Sequence, residues 1–204
     1  MGDGERDRTD ADTRRPPALT AAERMTLLML ARSSVEASAH GRSLPAPGRL
    51  GGRLDEPGAA FVSIHTSRGL RGCIGCVEPR TESLAEVVVR MAEAAASQDP
   101  RFPPLFPDEL PEASIEISVL GPLVPVASPE EIRIGRDGLV VERNGHRGLL
   151  LPQVAVEWGW DVQTFLAETC RKAGLPPTAW REGARVYRFE ADVFGEAPAR
   201  GRPA

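Results

Sequence analysis

Phe61-Val-Ser-Ile-His65-Thr66-Ser67-Arg68-Gly69-Leu70-Arg71-Gly72-Cys73-Ile74-Gly75-Cys76-Val77 is the stretch whose reading sets the fold class. Residues 61–65 read as a short strand, and Ser67-Arg68-Gly69 supplies a turn. Residues 70–77 then read as the returning strand, interrupted by Gly72 and Gly75. Two strands joined this tightly must run antiparallel. Further along, residues 114–120 alternate cleanly, with Ile115, Ile117 and Val119 inward and Ser114, Glu116 and Ser118 outward. Residues 131–134 lead through Asp137-Gly138 to a strand at 139–143. Asn144-Gly145 marks a hairpin turn, and 148–151 returns from it. Residues 186–193 close the pattern as another alternating strand.

Helices are signalled between these strands. Thr20 and Glu23 form a capping box, with Met25, Leu28, Met29 and Val35 expected on the buried side before Gly41 stops the helix. A second helix is expected over 81–97, with Ser83 and Glu86 at its start and Leu84, Val87, Val88 and Met91 facing inward. Pro152 can open a short helix, and Asp161 caps another through Phe165, Leu166 and Cys170. Hairpins with helices packed around them predict an α+β fold with mainly antiparallel sheet. The larger sheet would use 61–65, 70–77, 114–120 and 186–193, and a smaller one 131–151. Residues 1–18 read as a disordered arm and 195–204 as a disordered tail. The Gly- and Pro-rich stretch 42–58 reads as a long loop.

With 204 residues, 41% hydrophobic and 26% charged, the chain is an ordinary globular one. Its net charge of −4 disfavours nucleic acid and anionic membranes as partners. No apolar run approaches the length of a membrane span, and none follows Met1 as a signal region would. The expectation is a cytoplasmic protein. Lys172 is the only lysine, so arginine carries nearly all the positive charge.

Chemistry concentrates at residues 70–76. Glycine inside a strand marks a bulge or a place where something comes close to the backbone. Arg71 and Cys73 stand two apart and would share one strand face. The guanidinium would then favour the thiolate, or the two would hold one anion. The alternative is a small buried Cys73 and an Arg71 paired with a surface carboxylate. Cys73 and Cys76 form a Cys-x-x-Cys pair, but residues three apart on a strand face opposite ways, which disfavours a redox role. No set of His, Cys or carboxylates recurs at metal-ligand spacing, so neither a metal nor a cofactor is predicted. Residues 99–111 carry five prolines. They either hold Arg101 and Phe102 as a stiff binding edge or dock on the core through Phe102 and Leu105.

Leu-Arg-Gly-Cys-Ile-Gly (70–75), Asp-Pro-Arg-Phe-Pro-Pro-Leu (99–105) and Leu-Leu-Pro-Gln-Val-Ala (150–155), in this order, resemble the AMMECR domain family over residues 19–194. Within it the chain looks most similar to the prokaryotic form called protein A of the AmmeMemoRadiSam system. Cys76 departs from the Thr or Ser expected there. The resemblance implies two lobes, a larger antiparallel sheet holding both chain ends and a smaller sheet, with a cleft between them. It implies partnership with a Memo-like protein and a radical S-adenosylmethionine enzyme, and no particular reaction. On this reading Arg71, Gly72, Ile74 and Gly75 line the cleft. Arg101 helps to fix a small polar or anionic molecule, and Cys73 is the candidate reactive group. The competing reading is a non-enzymatic adaptor that docks proteins through residues 99–111.

Overall fold

A computed structural model describes residues 18–78 and 81–197. Most of the expected arm, and the tail beyond Ala197, lie outside the described residues. Helix α1 (Ala21–Ala39) starts at Thr20, whose side chain and that of Glu23 complete the capping box. Strands β1 (Ala59–Thr66) and β2 (Gly69–Gly75) form the hairpin. Helix α2 (Leu84–Ser97) follows, capped reciprocally by Ser83 and Glu86. Then come β3 (Ser114–Leu120), the short β4 (Val124–Pro125), and the hairpin of β5 (Asp137–Arg143) and β6 (His146–Leu150). Asn144 and Gly145 both take positive φ at its turn, as a tight hairpin requires. Helices α3 (Pro152–Glu157) and α4 (Val162–Lys172) precede the last strand, β7 (Arg185–Gly195).

All strand pairs are antiparallel, in the order β2-β1-β3-β7-β5-β6, with β4 also on β7. The two expected sheets are joined by one strand. β7 pairs with β5 over residues 185–190 and with β3 from Ala191 onward. Its length lets a single chain segment serve both lobes, and the sheet curls where it changes partner. Helices α1 and α2 cover one face of the β1–β2–β3 lobe, burying Val62, Ile64, Ile115 and Ile117 beneath Leu84, Val88 and Met91. In the second lobe, Phe165 and Leu166 of α4 pack with Ala155 of α3 and Leu139 of β5. A third cluster joins the lobes, with Phe61 against Val140, Leu149, Tyr187 and Phe189.

Three sequence expectations are corrected. α1 buries Leu27, Ala31, Ser34 and Val35, while Met25 and Met29 are exposed. Small residues on that side let α2 come close enough for the Ser34 hydroxyl to donate to the Val89 carbonyl at 2.7 Å, so proximity decides the buried face more than side-chain bulk. Residues 131–134 form no strand. The segment is a 3-10 turn (Pro129–Glu131) followed by a bend that Asp137 holds by accepting from the Arg133 amide at 2.8 Å. Finally, the folded chain continues past Phe194. Glu196 accepts from the Arg32 guanidinium and, at 2.8 Å, from the Ile115 amide.

Candidate functional site

β2 is an edge strand, and its six-residue motif is spent mostly on the protein itself. The β1–β2 register slips between Ile64 and His65, where Gly72 and Leu70 oppose consecutive β1 residues and leave Arg71 as the inserted one. A bulge of this kind re-aims its side chain. The Arg71 guanidinium is spent on the segment 103–109 and makes no hydrogen bond to Cys73. It grips Glu109 through Nε (2.7 Å) and Nη2 (2.9 Å) and donates to the carbonyls of Pro103 and Pro104. That pairing with a carboxylate is the second of the two readings open from sequence. It clamps the proline-rich segment against the sheet edge, where Leu105 is buried.

The glycines admit close neighbours, as predicted, and the neighbours belong to the fold. A Cβ on Gly72 would lie 2.1 Å from the Ala95 carbonyl oxygen, so α2 could not approach β2 past any larger residue. A Cβ on Gly75 would lie 2.2 Å from the Phe61 ring, which covers it from the paired strand. Ile74 packs into the core beneath the helices. Of residues 71–75, Cys73 and Gly75 face the second lobe, and Gly75 is roofed by Phe61. None of residues 71–75 is among those that line the cleft described below.

Cys73 is held by Ser63 and Asp99. The Ser63 hydroxyl, directly across on β1, donates to Sγ at 3.2 Å. The Cys73 amide donates to Asp99 Oδ2 at 2.9 Å. Asp99, with a side chain only 2% exposed, is gripped by Arg101 through Nε (2.9 Å) and Nη2 (2.6 Å) and also accepts from the Arg101 amide. The Arg101 hydrogen bonds, helped by the Cys73 amide, hold the Asp99 carboxyl well below the usual range despite its burial. Burial pushes the Cys73 thiol up. The Ser63 hydrogen bond and the positive charges of Arg101 and Lys172 oppose that shift without cancelling it. The sulfur is a thiol at neutral pH, and the thiolate expected from a neighbouring Arg71 does not form. Cys76 leaves the strand and packs against both the helix-covered core and the core between the lobes; both cysteines are free. Among the described residues, no three His, Cys, Asp or Glu side chains group closely enough to hold a metal ion.

The open space lies elsewhere on the same sheet face. A cleft of about 530 Å³ separates the β1–β3–β7 surface from α3 and the bend before β5. His65 of β1 and Glu116 of β3 stand on its floor, and Arg136, Gln153 and Val156 form the opposite wall. Glu116 continues the cross-strand row Cys73–Ser63–Glu116, which leaves the cysteine two strands away from the lining, with Ser63 between. Arg136 is committed to Asp137 through Nε (2.9 Å) and Nη2 (3.0 Å). His65, Glu116 and Gln153 have no side-chain partner among the described residues.

A model of the family described as AMMECR1 matches residues 28–194. The chain belongs to the AMMECR1 family. A protein of Thermococcus gammatolerans is 46% identical over 187 residues, covering 86% of this chain and 91% of its own length. One from Methanothermobacter thermautotrophicus is 45% identical over 186 residues, covering 87% and 96%. The crystal structure of uncharacterized protein PH0010 from Pyrococcus horikoshii superposes with a TM-score of 0.79 at 41% identity, covering 86% of this chain and 92% of that one. In this AMMECR1 chain the specific motif and the open cleft are adjacent and distinct. Sequence reasoning names Arg71, Cys73 and Arg101 and singles out neither Glu116 nor Gln153, both of which line the cleft. Glu116 sat in an ordinary outward-facing position of an alternating strand, and Gln153 lay inside the third family motif with nothing local to mark it.

Proposed function

We propose that this AMMECR1 chain is an accessory protein that binds a small polar molecule in the cleft between its lobes. It works in the cytoplasm beside a Memo-like protein and a radical S-adenosylmethionine enzyme. The observation that carries this reading is the convergence of three unpartnered polar side chains, His65, Glu116 and Gln153, from three different elements onto one cleft. These half-buried groups meet solvent in the empty cleft, and a guest with complementary donors and acceptors replaces that water with direct hydrogen bonds. Glu116, Glu157 and Glu196 outnumber Arg136 along the lining. That balance supports a neutral or cationic guest with hydrogen-bond donors over the anion also expected from sequence. Cys73 lies outside the lining and stays a protonated thiol at neutral pH, which disfavours a nucleophilic role for it.

The test is retention of a cell-extract metabolite by the full chain, read by mass spectrometry after denaturation. The wild type should carry a species that Glu116→Gln releases at least tenfold. Equal retention by both proteins sinks the cleft reading. A second reading, the non-enzymatic adaptor, has its own observation: Phe106 is 58% exposed on the segment that Arg71 and Glu109 hold stiff. If no metabolite is retained and Phe106→Ala abolishes co-purification with the radical enzyme, the adaptor reading stands instead.

A further inference from the structure

On the far side of β7 from the cleft, a second cavity of about 420 Å³ opens where the strand changes sheets. Three guanidinium groups from separate parts of the chain reach it: Arg24 of α1, Arg53 of the 3-10 turn before β1, and Arg188 of β7. Leu19, Pro122 and Phe189 supply apolar wall.

The arginines are incompletely used. The Arg188 guanidinium makes no hydrogen bond among the described residues. Its one ion pair among the described residues is with Asp137, 3.9 Å away, a carboxylate that also accepts from Arg136 and the Arg133 amide. Its Nε is buried and unpartnered, and so is that of Arg53, whose Nη1 is taken by Glu56 at 2.6 Å. Arg24 turns Nε and Nη2 toward Asp192. These Nε atoms lie beneath the surface, so a guest would meet the terminal nitrogens, whose planar fork of N–H groups matches an oxyanion better than any other small ligand.

We infer that this cavity is a second ligand site, which takes a small organic oxyanion, a phosphate ester or a carboxylate, on Arg53 and Arg188 with its apolar body against Leu19, Pro122 and Phe189. The acids along the rim, Asp192 and Glu190, restrict the guest to low charge and exclude polyphosphates and nucleic acid. The site stands apart from the cleft and does not depend on how the cleft is used.

The experiment is calorimetric titration of the full chain with phenyl phosphate and, separately, with benzoate. Saturable one-site binding of at least one of them is expected, and whichever binds more tightly identifies the head group. Arg188→Gln should weaken it at least tenfold with an unchanged circular dichroism spectrum, while Glu116→Gln, in the cleft, leaves it unchanged. Should Arg188→Gln fail to fold, Arg53→Gln, at the other arginine assigned to the oxyanion, should still weaken binding at least threefold. Absence of binding by the wild type to both probes, or unaltered affinity in the folded arginine variant, overturns the inference.

Discussion

The β2 motif and the inter-lobe cleft lie on one sheet and treat their polar and small residues in opposite ways. Around β2 the motif is engaged from Arg71 to Gly75, and only Leu70 is left exposed. Arg71 holds Glu109 and two carbonyls, Asp99 holds the Cys73 amide, and both glycines are filled by α2 or Phe61. In the cleft, His65, Glu116 and Gln153 face open volume unpaired. Glycine density on a strand reports close approach without saying what approaches, and here the approaching group is the fold. The motif is joinery, and the open space farther along the sheet is where a guest would sit.

The sharpest way to break that contrast is Gly72→Ala. Its new methyl meets a helix carbonyl 2.1 Å away, and neither backbone can yield without separating α2 from β2. The expected loss is about 3 kcal/mol, read as a lower urea midpoint with an unchanged slope. A variant as stable as the wild type would mean that the glycine is there for an outside molecule after all.

Next in size is Asp99→Asn. It weakens the grip of Arg101 and leaves the buried amide of Cys73 facing an amide side chain, and it should cost about 2 kcal/mol at neutral pH. The pH dependence carries the sign. Asp99 titrates below its unfolded value because Arg101 and the Cys73 amide favour the carboxylate. Its contribution is therefore complete above about pH 4, the unfolded carboxyl range, and is lost as the pH falls below it. Denaturation curves between neutrality and pH 2 should show the wild type losing more stability on acidification than the variant. Parallel curves would separate Asp99 from the joinery.

How far each region could be read from sequence follows the same division. Capping boxes at Thr20 and Ser83, the Asn144-Gly145 turn and the alternation of β3 are local signals, and each fixed its element. The buried side of α1 was misassigned because helix–helix distance is set by Ala31 and Ser34, whose small size carries no hydropathy signal. That β7 belongs to both sheets was hidden, since a register is a property of the partners. The Cys73–Ser63–Glu116 row likewise joins three strands distant in sequence, so a cleft could be suspected near Cys73 but its floor not traced to Glu116.

The smallest expected effect sharpens the contrast from the other side. A carboxylate that serves the fold has partners, and removing its charge strands them; one that serves a guest strands nothing in the empty protein. Glu116 has no partner among the described residues, and its neighbours across the row are Ser63 and Gly195, which demand no negative charge from it. Glu116→Gln keeps the side chain's shape, so stability should change by no more than about 0.5 kcal/mol in urea. Set beside the loss at Gly72, that near-zero shift would place Glu116 outside the folding machinery. A loss as large as that of Asp99→Asn would instead show Glu116 working within the sheet, and the two regions would cease to differ in kind.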